Sequence, residues 1–327
     1  MISLQTEYMG MKIPSPLIAG GSGLTKNIDN IIKLEQFGAG AIILKSLFEE
    51  QILNDASQLS AGMYSTEAFE YVDFYKKGNS LDEYLSMVSD AKKAVKIPII
   101  ASINCVKHGE WSAFAKQIEE AGADGIELNI FFLPTDMAAD SGMYEQQYLD
   151  IVASVKKHTK LPIAVKIGSH FTSMSAFIRK LSWSGISSIV LFNRFLPMDI
   201  DTDTMEVIPA HSFFSSPSEI YNSLRWIALL SGDTKLNCTL SSSTGIHSGD
   251  AAVKMLLAGA QTVQVCSALY KEGLQKMESI HKELSDWMTE HHHDKIEDFR
   301  GHLNRELLTD PTLYSRVQYM KQNSRIE

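Results

Sequence analysis

Short apolar runs alternate with longer stretches in which apolar positions recur every three or four residues. The alternation is regular from residue 16 to residue 269. The short runs fall at residues 16–20, 41–45, 97–104, 125–130, 163–168, 187–193, 235–241 and 262–269. Most are nearly continuous in Val, Ile, Leu and Ala, which predicts parallel strands covered on both faces rather than half-exposed ones. The stretches between them read as amphipathic helices. Three carry clear end signals: residues 112–121 stop at Gly122, 173–184 at Gly185 and 248–258 at Gly259. Glycine there accepts the left-handed conformation that closes a helix.

Eight such β–α units within roughly 250 residues predict one (β/α)8 barrel, a TIM barrel, filling a single domain over residues 1–327. A doubly wound sheet is the main competitor, but no GxGxxG follows the first strand. The opening LQTEYMGMKIPSP reads as a short hairpin able to cap the bottom of the barrel. Two connections, residues 48–79 and 194–216, are too long for simple turns. Both follow strand C-termini, where barrel enzymes build their active sites, so they are candidate lids or substrate walls. The polar tail over 291–327 predicts a helix around 296–308.

Charge and cysteine usage narrow the function classes. The formal net charge is −9, and no long Lys/Arg cluster interrupts the acidity, which argues against nucleic acid or an anionic membrane surface as partner. No apolar run reaches the roughly 18 residues of a membrane span, and the N-terminus lacks a basic-then-apolar leader pattern. A soluble, cytoplasmic protein is expected. Cys105, Cys238 and Cys266 are odd in number and far apart, which disfavours a disulfide framework, an iron–sulfur cluster or a zinc site. His291–His293 reads as a solvated helix end, because adjacent histidines cannot all converge on one metal. No metal is expected.

In a barrel of this kind the chemistry sits on the last residues of each strand and just beyond. Those positions hold Ala19, Gly20, Gly21 and Ser22, then Lys45 and Ser46, Asn104 and Cys105, Asn129, Lys166, and Asn193. The seventh and eighth strands add Ser243, Thr244 and Gly245, and Cys266 and Ser267. Two lysines at buried strand ends, with no carboxylate beside either in sequence, need an anion to face or a route to the rim. The segment SSSTGIHSGD joins a Ser/Thr/Gly turn to Ser248, a good N-cap. Loops after the seventh and eighth strands of barrels commonly hold phosphate, although an N-capped helix with no ligand has the same look. Taken together the positions suit a phosphorylated, planar, electron-accepting ligand, with Lys45 and Lys166 near its electron-rich edge.

These motifs resemble the dihydroorotate dehydrogenase family, above all its soluble class 1 members. GAGAIILKS, GIELN, PIAVKIG, STGIHSGDAAVKMLLAGA and VQVCSALYKEG carry the resemblance, which runs from the N-terminal hairpin to about His281. It implies FMN as cofactor, contacting Ala19, Gly20, Gly21, Ser22, Lys45, Ser46, Asn129, Lys166, Ser243, Thr244, Gly245, Cys266 and Ser267. It implies dihydroorotate as substrate, touched by Asn129 and Asn193, with oxidation to orotate in pyrimidine biosynthesis. A homodimer is implied too, with either a soluble oxidant or a separate electron-transfer subunit as acceptor.

The sequence departs from the family where the proton is taken. That base is a Cys or Ser just past the fourth strand, in a pattern like Asn-Leu-Ser-Cys-Pro-Asn. Here the stretch is Asn129-Ile130-Phe131-Phe132-Leu133-Pro134-Thr135, so the base position falls on Phe132 or Leu133. Neither accepts a proton. Cys105, His170 and Thr135 are candidate substitutes, Cys105 first. The alternatives are a changed substrate against a more apolar wall of Phe131 and Phe132, or a flavin-binding protein without turnover. A barrel lyase or isomerase forming a Schiff base on Lys45 or Lys166 is a further class.

Overall fold

The computed structural model describes residues 2–48, 81–105, 111–195, 197–210 and 213–315. A two-stranded antiparallel hairpin opens the chain, β1 (Thr6–Tyr8) against β2 (Met11–Ile13). Met9 (φ 53°) and Gly10 (φ 81°) make its tight turn, the paired left-handed conformation that matches the twist of the flanking strands.

The barrel strands follow: β3 (Leu17–Ala19), β4 (Ala41–Ile43), β6 (Ile99–Cys105), β7 (Gly125–Ile130), β8 (Ile163–Ile167), β9 (Ser188–Leu191), β12 (Thr239–Ser242) and β13 (Thr262–Val265). All pair in parallel, and contacts of β4 with β6 and of β13 with β3 close the ring. The eight expected strands are all present. A short extra strand, β5 (Leu47–Phe48), runs along the upper part of β6. Helices α1 (Ile28–Gln36), α2 (Leu81–Ala94), α3 (Trp111–Glu120), α4 (Ser141–Lys156), α5 (Met174–Ser182), α6 (Ile220–Leu230) and α7 (Gly249–Ala258) connect them. Gly122, Gly185 and Gly259 all have positive φ, as their places at helix ends require. Ser248 caps α7 by accepting from the Ala251 amide at 3.2 Å.

Period-two alternation divides the strand residues between the two faces. The outward-facing side chains pack with the helices in one large apolar layer. Inside the barrel, Ile18, Ala41, Ile43, Ile100, Ala164 and Val190 form a separate apolar cluster with Tyr8, Met9 and Ile13 of the hairpin. The hairpin therefore plugs the bottom, pinned by a Gln261 amide donating to Thr6 Oγ1 at 2.8 Å. Toward the C-terminal ends of the strands the same inward rows turn polar: Ser102, Asn104, Glu127, Asn129, Lys166 and Gln264. The barrel has an apolar floor and a polar mouth.

Two expectations need correction. The run over 262–269 is not one strand: β13 stops at Val265 and Ser267–Glu272 forms a short helix, α8. The tail over 296–308 is not helical beyond a 3-10 turn at Ile296–Asp298. It is held instead by backbone bonds to neighbouring helices, Gly301 to Leu256 and Arg305 to Ala228. The regular helix of this region is α9 (Lys276–Glu290), which ends at the histidine run, where His291 stacks on Trp287 with ring centroids 4.2 Å apart. Among the described residues the one helix after Asp298 is the short α10 (Thr312–Ser315). The insertion over 194–216 folds in part as a second hairpin, β10 (Met198–Asp201) with β11 (Glu206–Pro209). Residues 49–80, nearly all of the first insertion, lie outside the described residues.

Strand β6 meets β4 at Ile99 and Ile100 but β5 at Ile103 and Asn104, leaving Ser102 between two ladders. The phenol of Tyr84 fills the gap, accepting from the Ser102 amide at 2.8 Å and donating to its carbonyl at 3.0 Å. Tyr84→Phe should destabilise the fold by about 1–3 kcal/mol, since both buried backbone groups lose their partner. Chemical denaturation of the variant against the parent measures it; an unchanged midpoint would mean that water or a neighbour replaces the phenol.

Candidate functional site

Above the polar half of the barrel interior lies a cavity partly open to solvent. Gly20, Gly21 and Ser22 line it from the end of β3, Lys166 from β8, and Asn193 and Arg194 from beyond β9. The seventh and eighth barrel strands contribute Ser243, Thr244, Gly245 and Ile246, then Gln264, Cys266, Ser267 and Tyr270. Phe213, Phe214 and Ser215, from the end of the second insertion, close one side.

The glycines are placed where backbone must come close. A Cβ on Gly21 would stand 3.0 Å from the Leu44 carbonyl oxygen. Gly245 has φ +80°, and a Cβ there would meet the Ile220 amide nitrogen at 2.4 Å. Thr244, just before it, is itself left-handed at φ 75°, a strained choice that persists because the surroundings over-determine it. Its hydroxyl donates to the Phe192 carbonyl at 3.1 Å, while Ser223 donates to the Ser243 carbonyl at 3.0 Å. The turn is thus held from both sides.

One buried polar atom at the cavity, Ser22 Oγ, has no hydrogen-bond partner among the described residues. Such atoms are rare in folded proteins, and at a cavity they point to a polar ligand. The cradle of close-approach glycines with the unpartnered Ser22 hydroxyl fits a phosphorylated flavin. The residues present are compatible with that group.

Beneath the cavity runs a chain of polar side chains. Lys166 Nζ donates to Gln264 Oε1 at 3.2 Å, and Gln264 Nε2 donates to Glu127 Oε2 at 2.5 Å. Glu127 is 2% exposed. Burial pushes its carboxyl above the usual range, opposed by Lys166 and the Gln264 bond. At the rim, Ser215 Oγ lies 3.0 Å from His247 Nε2, and the Ser215 amide donates to Ser267 Oγ at 3.0 Å. Lys271 Nζ reaches the Ser215 carbonyl at 2.9 Å.

Ten of the sequence-derived positions therefore line one cavity: Gly20, Gly21, Ser22, Lys166, Asn193, Ser243, Thr244, Gly245, Cys266 and Ser267. Four do not. Ala19 is buried on the helix side of β3. Ser46 lies deeper, its Oγ 2.8 Å from Ser102 Oγ. Lys45 is 8% exposed, two residues past Ile43, and Asn129 is paired in register with Lys166 on the adjacent strand. Cys105 ends β6 opposite Ile130, and its side chain is outside the described residues. Sequence reasoning missed Arg194, Phe213, Phe214, Ser215, Gln264, Tyr270 and the buried Glu127. Glu127 had left a trace, a lone carboxylate in an apolar strand.

Past β7 the chain has no proton acceptor in the first three positions after Ile130. Phe131 packs edge-on against Phe195, centroids 3.8 Å apart, and covers Gly168. Phe132 meets Tyr148 at 5.2 Å, and Leu133 is exposed. Phe131, Phe132 and Tyr148, with Tyr144, His170 and Phe171, line a separate aromatic cavity between the β7 and β8 loops. His170 and Thr135 do not line the main cavity.

A closed parallel barrel whose cavity is built by the ends of its first, fifth, sixth, seventh and eighth strands defines a small-molecule barrel enzyme in architecture. Residues 3–288 match the model of the dihydroorotate dehydrogenase family, and the chain belongs to that family. The family's enzymes are flavin-dependent oxidoreductases acting on CH–CH groups, and this chain is an oxidoreductase of that type. It is 24% identical to the chloroplastic dihydropyrimidine dehydrogenase (NADP+) of Arabidopsis thaliana, covering 96% of this chain and 80% of the relative. It is 23% identical to the catalytic subunit of dihydroorotate dehydrogenase B (NAD+) of Thermoplasma volcanium, covering 92% and 98%. The dihydroorotate dehydrogenase (fumarate) of Lachancea kluyveri is 26% identical over 68% of this chain and 74% of its own. No helix among the described residues is long and apolar enough to cross a membrane.

Burial, and then the nearby Lys271, lower the pKa of His247 from its ordinary 6.5. The unfolded chain therefore binds this proton more readily than the folded one, so stability is complete above about pH 6.5 and is lost as pH falls below it. The ligand-free protein should melt lower at about pH 5.5 than at about pH 7.5, and His247→Asn should flatten part of that slope. His281, lowered by burial in the same direction, keeps the remainder. A slope unchanged by the substitution would show that His247 does not stay neutral in the folded state.

Proposed function

We propose that this chain, a single barrel domain over residues 1–327, is an FMN-dependent dehydrogenase that oxidises dihydroorotate. One observation carries the reading: the close-approach turns at Gly20–Gly21 and Thr244–Gly245 share a cavity with Lys166 and Asn193. In this reading Ser243, Thr244, Gly245, Cys266 and Ser267 hold the phosphate, and Ala19, Gly20, Gly21, Ser22 and Ser46 pass along the flavin. Lys45 and Lys166 face its electron-rich edge, where a cation favours the negative charge gained on reduction. Bound there, FMN would supply the acceptor for the hydride that leaves the substrate. Asn129 and Asn193 orient the substrate by hydrogen bonds, and Phe213 and Phe214 exclude water from that side. Cys105, at the end of β6, is the candidate proton acceptor. Family analogy adds a homodimer, a cytoplasmic location, and a soluble oxidant or separate subunit as electron acceptor.

A second reading keeps the cofactor and changes the substrate. The aromatic stretch at Phe131 and Phe132, where relatives place the base, favours a CH–CH substrate with a more apolar face.

The purified protein should carry flavin bands, released as FMN on denaturation. Anaerobic dihydroorotate should bleach them, and Cys105→Ala should slow that bleaching by about 10²–10⁴-fold, the usual worth of a positioned base. Bleaching by dihydrouracil alone would select the second reading. A protein that takes up no FMN on reconstitution would sink both.

A further inference from the structure

Glu127 has no place in the chemistry above, yet it is the ionisable group most deeply set beneath the cavity. It sits in mid-β7, 2% exposed, on the inward row that two residues later presents Asn129. A buried carboxylate is costly unless another charge or hydrogen bond answers it. The lower half of the same barrel is filled with Ile, Val and Ala, so apolar packing was a ready alternative at this depth.

The answer comes from the opposite side of the ring. Gln264, on β13, turns its amide nitrogen to Glu127 at 2.5 Å and its carbonyl oxygen to Lys166 Nζ at 3.2 Å. The two ends of a carboxamide are chemically distinct. Donor toward carboxylate and acceptor toward ammonium is the orientation that an anion on one side and a cation on the other select together. Gln264 and Lys166 both line the cavity, whereas Glu127 does not. Any action of Glu127 on a bound ligand passes through these two side chains or through its field.

We propose that Glu127 is a positioning residue of the flavin site: through Gln264 it fixes Lys166 at the cavity floor, and its buried charge lowers the reduction potential of the flavin above. The inference rests on the flavin reading of the same cavity. Lys166 favours the electron-rich reduced flavin. Glu127 opposes it, so the potential is set by the difference between the two rather than by the lysine alone.

Glu127→Gln tests this, because the new amide oxygen can still accept from Gln264 while the charge is gone. The variant should bind FMN, and its midpoint potential at constant pH should rise. At least a tenfold change in the reduced-to-oxidised ratio is expected, or about 30 mV for a two-electron couple. A midpoint matching the parent's, whatever happens to the melting temperature, would reduce Glu127 to a structural role and overturn the proposal. Should Glu127→Gln fail to fold, Gln264→Met, which severs the link and leaves both charges, is read in the same titration with the same criterion. A parent protein that takes up no FMN would sink the flavin reading and this inference with it, an outcome distinct from an unmoved midpoint.

Discussion

An ammonium group half-buried at the floor of a cavity has to be answered from inside the barrel, and the way Lys166 is answered ties two adjacent strands to a third across the ring. The lysine stands on β8, its acceptor Gln264 on β13 and the carboxylate beyond on β7. Only a closed ring brings a β13 side chain across to β7. Closure also makes the inward rows finite, so the apolar hairpin can seal the lower half and leave the polar groups to the upper half. Floor, charge pair and cavity are consequences of one register of parallel pairing.

That arrangement explains why the cavity-lining turns keep the family pattern while the loop after β7 does not. The turns at Gly20–Gly21 and Thr244–Gly245 are fixed by close contacts with neighbouring backbone, at Leu44 and Ile220. A larger side chain at either place would have to move a strand or a helix. The stretch over 131–140 has no such constraint. Most of it is exposed, and its two phenylalanines are held by side-chain packing, against other aromatic rings, Gly168 and the apolar layer, rather than by backbone contacts. Substrate chemistry can drift there without cost to the fold, and in this protein the base position has become aromatic.

The cavity also has a wall that no strand supplies. Phe213, Phe214 and Ser215 arrive from the second insertion, with Phe214 stacked on Tyr270 at 5.0 Å and Ser215 bonded to Ser267 and His247. Arg194, at the start of the same insertion, pairs with Glu219 at its far end at 2.7 Å. The insertion is therefore closed on itself by an ion pair and docked on the phosphate-side loops by hydrogen bonds. This makes it part of the binding site rather than a surface excursion.

The sequence by itself determined the barrel. Eight β-type runs separated by glycine-ended helices leave few other solutions, and the strand-end rule drew up most of the cavity from residue types alone. It could not find Gln264 or Glu127 as partners, because 137 residues of chain separate them and only barrel closure joins them. Nor could it end β13 at Val265. The run over 262–269 continues with Ala268 and Leu269 in its helical half, and periodicity over so few residues does not separate strand from helix. The tail near residue 300 shows the same limit: helix-compatible in composition, it gives its backbone bonds to α6 and α7 instead. Local pattern fixed which elements form and which residues reach the mouth. The tertiary structure decided which charges meet there, because that depends on distances across the ring that no local pattern encodes.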